Sequence, residues 1–135
     1  MTMTDTAYAD RVTAPGDFDE VLARTRVALA AEGFGVLTEI DVQATMREKL
    51  GVEREPYMIL GACNPPLAHR ALEAELQLGA LLPCNVVVFT DGGLTHVSAV
   101  SAEQMLGMVG NPRLEPVARE AGERLGRVLE RVAQP

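Results

Sequence analysis

Cysteine has the most reactive side chain in this sequence, and the chain has two, Cys63 and Cys84. Both neighbour proline turns, in the segments Cys63-Asn64-Pro65 and Pro83-Cys84. A thiol just before a helix feels the positive end of the helix dipole, and unpaired backbone N–H groups there can solvate a thiolate. Cys63 precedes a predicted helix cap, so its side chain either turns towards that helix and becomes more reactive, or points into the core.

Whether the two thiols meet depends on the connection between their strands. A strand–helix–parallel-strand unit would leave Cys63 and Cys84 at opposite ends of the sheet. Residues 76–83 form an extra apolar segment that could span roughly 26 Å and carry the chain back. A redox dithiol, a sulfur-handling site or a soft-metal site then becomes feasible; the alternative is a packing role for two small apolar side chains. Two cysteines do not supply the four ligands of a usual zinc site, so no metal is assigned.

The histidines are secondary candidates. His69 and Glu73 lie one turn apart on a predicted helix, which is typical of a solvated helix face. The turn Asp91-Gly92-Gly93 predicts a hairpin in which His96 faces Phe89 across the two strands. We expect His96 and Phe89 to be a packed or interfacial pair. The common hydrolase, phosphate-loop and dinucleotide motifs are absent from the sequence, so catalytic residues stay unassigned and enzyme activity stays an open question.

The apolar spacing and the turn signals predict the elements that position these residues. We predict strands over 6–13, 34–40, 57–63, 84–90 and 95–100. We predict helices capped by Asp17, Asp41, Asn64 and Ser101, and a last helix from residue 116 to 133. The expected buried stripes include one formed by Phe34, Val36 and Ile40 and one formed by Leu67, Ala68, Ala71, Leu72 and Leu76. The last helix is expected to bury a long stripe, formed by Leu114, Val117, Ala118, Ala121, Leu125, Val128, Leu129 and Val132.

This order of elements predicts an α+β fold. Residues 1–135 form a single compact domain, in which a mixed or antiparallel sheet of about five strands has helices packed mainly on one face. The strand 57–63 is apolar on both faces, which indicates a central strand covered on both sides. In the hairpin, Val87, Phe89 and Val100 make an apolar strip away from the helices. A second subunit would cover that strip, so we expect a homodimer.

Composition excludes several classes of function. The formal net charge of -7, from 19 acidic and 12 basic residues, opposes binding to nucleic acids and to anionic membrane surfaces. The first ten residues lack the basic and apolar regions of a secretory signal, and no apolar run is long enough to cross a bilayer. We therefore expect a cytoplasmic protein with reduced cysteines. No cofactor motif is found, and no cofactor is assigned.

Three short segments also carry a family resemblance. They are Glu32-Gly33-Phe34, Tyr57 leading to Cys63-Asn64-Pro65, and Leu82-Pro83-Cys84. With these segments, about residues 15–100 resemble the bacterial family catalogued as domain of unknown function 302, and residues 112–133 form a C-terminal helical extension. The resemblance implies a compact α+β domain with a mixed sheet, and it implies no activity.

Two functional hypotheses follow from these observations. The first is a non-enzymatic, dimeric domain that binds a small apolar ligand or a protein partner. The second is redox, sulfur or soft-metal chemistry at Cys63 and Cys84, which requires neighbouring sulfurs and an accessible thiol. The candidate site comprises Cys63, Asn64, Pro65 and Cys84, together with Tyr57 from the family resemblance; His96 and Phe89 are secondary.

Overall fold

A computed structural model describes the backbone of residues 3–135 and the side chains from residue 6 onward. The strands are β1 (Met3–Asp5), β2 (Ala9–Ala14), β3 (Gly35–Asp41), β4 (Tyr57–Cys63), β5 (Cys84–Asp91) and β6 (Leu94–Val100). The helices are α1 (Phe18–Ala31), α2 (Val42–Leu50), α3 (Pro65–Ala74), α4 (Ala102–Gly107) and α5 (Glu115–Val132). Two 3-10 segments, Leu76–Leu81 and Pro112–Leu114, precede β5 and α5.

The strands form one sheet in the order β1-β2-β6-β5-β4-β3. Every strand pairing in the described part of the chain is antiparallel. The five predicted strands correspond to β2 through β6, and β1 adds a short strand at one edge. The α+β prediction is therefore confirmed, with the antiparallel form of the sheet rather than the mixed form that the family resemblance implied.

Side-chain caps set the starts of the first four α-helices as predicted. The carboxylates of Asp17 and Asp41 accept hydrogen bonds from backbone N–H groups three residues on, each at 2.9 Å, and Ser101 caps α4 in the same way. Such caps satisfy N–H groups that have no partner inside the helix. Within residues 3–135, none of the helices has the length and apolarity needed to span a bilayer.

The main core lies between one face of the sheet and the helices α1 and α5. Val12, Leu60, Val86, Val88 and Val97 supply its sheet side. Every residue of the apolar stripe predicted for the last helix is buried. These residues are Leu114, Val117, Ala118, Ala121, Leu125, Val128, Leu129 and Val132. A second cluster joins α3, the first 3-10 segment, α4 and the first half of α5.

The prediction that Ile40 shares a face with Phe34 and Val36 is wrong. Val36 pairs with Ala62 and Thr38 pairs with Gly61, so Leu37 is an extra residue in β3. A bulge of this kind reverses the alternation of side chains for the rest of the strand. Ile40 consequently lies on the outer face and is 48% exposed.

The stripe predicted for the third helix is only partly correct. Leu67 and Ala71 are buried, whereas Leu72 is 36% exposed and Leu76 is 87% exposed. The α-helix ends at Ala74, so Leu76 belongs to the 3-10 segment and no longer follows the helical period.

Candidate functional site

The two cysteines lie at the same end of the sheet. Strand β5 runs antiparallel to β4, and Cys84 lies directly opposite Ala62, the residue before Cys63. The parallel arrangement that would have separated the cysteines is not formed. Instead α3 and the 3-10 segment Leu76–Leu81 return the chain to the end of β4, as the longer connection allowed.

A cavity of about 330 Å³ opens at this end of the sheet, between β4, β5, α3 and α5. The three segments of the family resemblance meet here, because each contributes to the wall. Charged side chains are absent from the lining, and Asn64 is its sole amide. The lining residues are Phe34, Leu37, Ala62, Cys63, Asn64, Leu67, Ala68, Ala71, Leu72, Gly79, Leu82, Pro83, Cys84, Leu106, Val117 and Ala121.

Asn64 uses its side chain to fix the pocket wall. Its Oδ1 accepts a hydrogen bond from the Leu67 N–H at 3.4 Å, and its Nδ2 donates to the Glu32 carbonyl at 3.3 Å. The side chain passes closely beside Gly33, where an added Cβ would lie 3.1 Å from Nδ2. Gly33 has φ of +83°, a conformation that favours glycine. Asn64 thus ties the end of α1 to the start of α3.

The first turn of α3 offers few N–H groups to the pocket. Pro65 and Pro66 occupy the first two helical positions and have no N–H. The Leu67 N–H is bonded to the Asn64 side chain, and the Ala68 N–H donates to the Asn64 carbonyl at 2.8 Å. A helix N-terminus usually attracts anions through such groups, but here they are missing or already bonded.

The burial of the two thiols in this cavity affects their reactivity. Both cysteines are free and half-buried, and both line the cavity. Burial raises the pKa of the Cys84 thiol to about 11, and the nearby Cys63 adds to that rise. Because the thiolate is the nucleophile, Cys84 is a weak one near neutral pH. We expected N–H groups at the start of the third helix to solvate a thiolate. The first two residues of that helix are prolines, so they have no N–H group to donate.

Several wall residues were not identified from the sequence. Leu37 reaches the cavity because it is the bulged residue of β3, and it is 68% exposed at the mouth. Val117 and Ala121 come from α5, which was placed outside the family resemblance. Phe34 and Leu82, in contrast, lie in the segments that carry the resemblance, so that signal could have identified them.

Glu32 forms an ionic cluster behind the pocket wall. Its side chain is 9% exposed, and its Oε1 accepts hydrogen bonds from Arg127 at 2.9 Å. Arg124 lies 3.8 Å from the same oxygen and donates to the Glu32 carbonyl at 3.1 Å. Arg124 also bonds Glu120 at 3.2 Å, and Glu120 bonds Arg70 of α3. These bonds lower the pKa of Glu120 and connect α1, α3 and α5.

Tyr57, Phe89 and His96 lie elsewhere, in a row across the outer face of the sheet. Phe89 faces His96 as predicted, and the ring centroids are 5.3 Å apart. Tyr57 stacks on Phe89 at 5.4 Å, and His96 Nδ1 is 3.0 Å from the Thr13 hydroxyl. Tyr57 begins the strand that Cys63 ends, which separates them by about 20 Å. Tyr57 is therefore not part of the cavity.

The described residues contain no group of three or more His, Cys, Asp or Glu side chains that could hold a metal ion. His69 and Glu73 are 4.0 Å apart and largely exposed, in agreement with a solvated helix face.

Two comparisons with known proteins agree with this fold. The sequence model of the family "Domain of unknown function DUF302" matches residues 10–132, a range that includes α5. A crystal structure of an uncharacterized conserved DUF302 protein from Bacillus stearothermophilus is 32% identical and superposes with a TM-score of 0.88. The match covers 94% of this chain and 99% of that one. A search of curated proteins gave no match.

Proposed function

The chain belongs to the family of the domain of unknown function DUF302, and we propose that it binds a small apolar ligand in the cavity beside Cys63 and Cys84. One observation carries the proposal: the cavity of about 330 Å³ has an apolar lining without charged side chains. This volume lies within the range of small-molecule sites, which are typically concave and mostly apolar.

The chemistry of the lining supports binding rather than catalysis. Asn64 directs its hydrogen bonds to the backbone of its own domain, and Cys84 is protonated near neutral pH because its pKa is about 11. General acid–base catalysis works best with a pKa near the operating pH. Within the described lining, Cys84 does not meet that condition.

The binding proposal is tested by filling the cavity. Ala68 lies on the wall and is half-buried, so Ala68→Leu adds three carbons to the space that a ligand would occupy. Ala23→Leu on the exposed side of α1 is the matched control. The probe is 2-naphthalenemethanol, and NMR chemical shifts measure its binding. We expect the parent and the control to bind it with the same affinity, and Ala68→Leu to bind it at least tenfold more weakly. Equal affinity for all three proteins would refute the proposal.

Thiol chemistry in the same cavity is the second candidate function. It is favoured by one observation, that Cys63 and Cys84 line one pocket, where Cys63 adds to the rise in the pKa of Cys84. This candidate function assumes that the protein is in the cytoplasm, where thiols stay reduced. Cell fractionation would check that location. Mild oxidation with diamide would remove two hydrogen atoms from the folded protein and join the sulfurs. If the mass of the protein stayed unchanged and no reduced diamide formed, the result would count against this candidate.

We further propose that a second copy of the chain covers the outer face of the sheet. Ile59, Val87, Phe89 and Val100 are only half-buried there, and the open strip lies along the middle of the sheet. A twofold dimer presents the same strip from both copies. Sedimentation equilibrium should give twice the mass of the chain, and Val87→Glu should give the monomer mass. A monomeric parent would contradict the dimer.

A further inference from the structure

We infer that the cavity selects uncharged ligands and rejects anions of the same shape. The inference rests on the proposed function and narrows it to a class of ligand. An anion that enters the cavity loses its hydration, and this costs free energy unless hydrogen bonds or a cation replace the water. The lining supplies no cationic side chain.

The first turn of α3 makes the selection sharper. A helix start on a pocket wall would ordinarily favour a carboxylate or phosphate, through its free N–H groups and its dipole. At Pro65 and Pro66 those donors do not exist, and the next two N–H groups are bonded to Asn64. Pro65 and Pro66 are exposed beside the cavity, whereas Leu67 and Ala68 line it, so the prolines and the Asn64 cap leave no free N–H group at the start of this helix.

The size of the cavity indicates the ligand's size. An apolar cavity of about 150 Å³ accommodates one benzene ring. At about 330 Å³, this cavity has roughly twice that volume, which suits an uncharged bicyclic or similarly sized aliphatic compound. Leu37 and Leu72 lie on the lining and are partly exposed, so the mouth is apolar as well.

The test compares two compounds that share one ring system, 2-naphthalenemethanol and 2-naphthoate, by NMR titration at neutral pH. We expect the alcohol to bind at least tenfold more tightly than the carboxylate. Equal affinities would overturn the inference and leave the proposed function intact. Failure of both compounds to bind would refute the proposed function itself.

Restoring the donors provides a gain-of-function test. The double variant Pro65→Ala, Pro66→Ala has two additional N–H groups at the start of α3. It should bind 2-naphthoate at least threefold more tightly than the parent does, while its affinity for 2-naphthalenemethanol stays the same. Pro112→Ala makes the same change at the 3-10 segment before α5 and should alter neither affinity. If circular dichroism shows that the double variant does not fold, Pro66→Ala alone restores one donor. Unchanged 2-naphthoate affinity in a folded donor variant would overturn the role of the prolines.

Discussion

The cavity beside the cysteines and the outer face of the sheet are both apolar, but they treat polar groups differently. In the cavity, Asn64 turns its amide towards the backbone and Cys84 keeps its proton. The groove on the outer face has about 440 Å³ and includes Arg11, Asn85 and Ser98 among its lining residues. The lining of the cavity has no charged side chain, whereas the outer face mixes charged, polar and aromatic side chains.

This difference separates two kinds of binding. A pocket without free donors suits a small uncharged molecule, because nothing in it must be desolvated at a cost. A broad face with an apolar centre and polar margins has the character of a protein interface. The reactive residue types are divided between the two surfaces: the cysteines line the cavity, and His96 lies on the outer face of the sheet. This separation argues against a single combined active site.

The largest expected effect concerns the burial of Cys84 in the cavity wall. In the Cys63→Ser variant, Cys84 is the remaining cysteine. At pH 8, iodoacetamide should alkylate it up to about 100-fold more slowly in the folded protein than in urea, because a rise in pKa from 9.0 to about 11 reduces the thiolate fraction by that factor. The rate should climb steeply up to about pH 11. Mass spectrometry of the alkylated protein measures it.

Removing Cys63 also removes the smaller cause of the shift, so the pKa of Cys84 in this variant should lie somewhat below that of the parent. Burial is the larger cause, and most of the protection should persist. If folded Cys63→Ser were alkylated at the unfolded rate at pH 8, Cys84 would not be protected by burial and the contrast between the two surfaces would disappear.

The second effect concerns the ionic cluster behind the cavity wall. Glu32→Gln keeps the side-chain shape but removes the charge that Arg127 and Arg124 contact. We expect the free energy of unfolding to fall by about 2 kcal/mol, since hydrogen bonds to a buried carboxylate are stronger than those to a neutral amide. Urea denaturation followed by circular dichroism measures the change.

Glu39→Gln is the matched control for that experiment. Glu39 of β3 pairs with Arg26 of α1, and both side chains are more than a third exposed. Pairs of this kind contribute about 0–1 kcal/mol, so the control should change stability by less than half as much. Equal losses in both variants would mean that the buried position of Glu32 has no special energetic role.

The sequence predicted the elements better than it predicted the cavity. Caps such as Asp17 and the Gly92-Gly93 turn are local signals, and local chemistry determines helix starts and hairpin registers. The facing of Phe89 and His96 followed directly from that turn. These features could be derived because the residues that determine them are adjacent in the sequence.

The cavity depended on contacts between distant segments. The bulge that brings Leu37 to the mouth is set by pairing with β4, and periodicity within β3 alone predicted the opposite face for Ile40. The return of Cys84 to the side of Cys63 depended on an irregular connection whose path was left open. The bond from Asn64 to the Glu32 carbonyl joins residues 32 positions apart, and no local pattern encodes it.

The smallest expected effect belongs to the outer face. Thr13→Val removes the hydroxyl that lies 3.0 Å from His96 Nδ1, and His96 is 8% exposed. We expect a loss of about 1 kcal/mol in unfolding free energy, because a nearly buried ring nitrogen is left without this partner. Adding His96→Phe removes the orphaned nitrogen and should recover part of that loss, while the affinity of the cavity for 2-naphthalenemethanol stays the same. Strictly additive losses in the double variant would show that the two groups are not coupled, and a change in ligand affinity would show that the two surfaces are not independent.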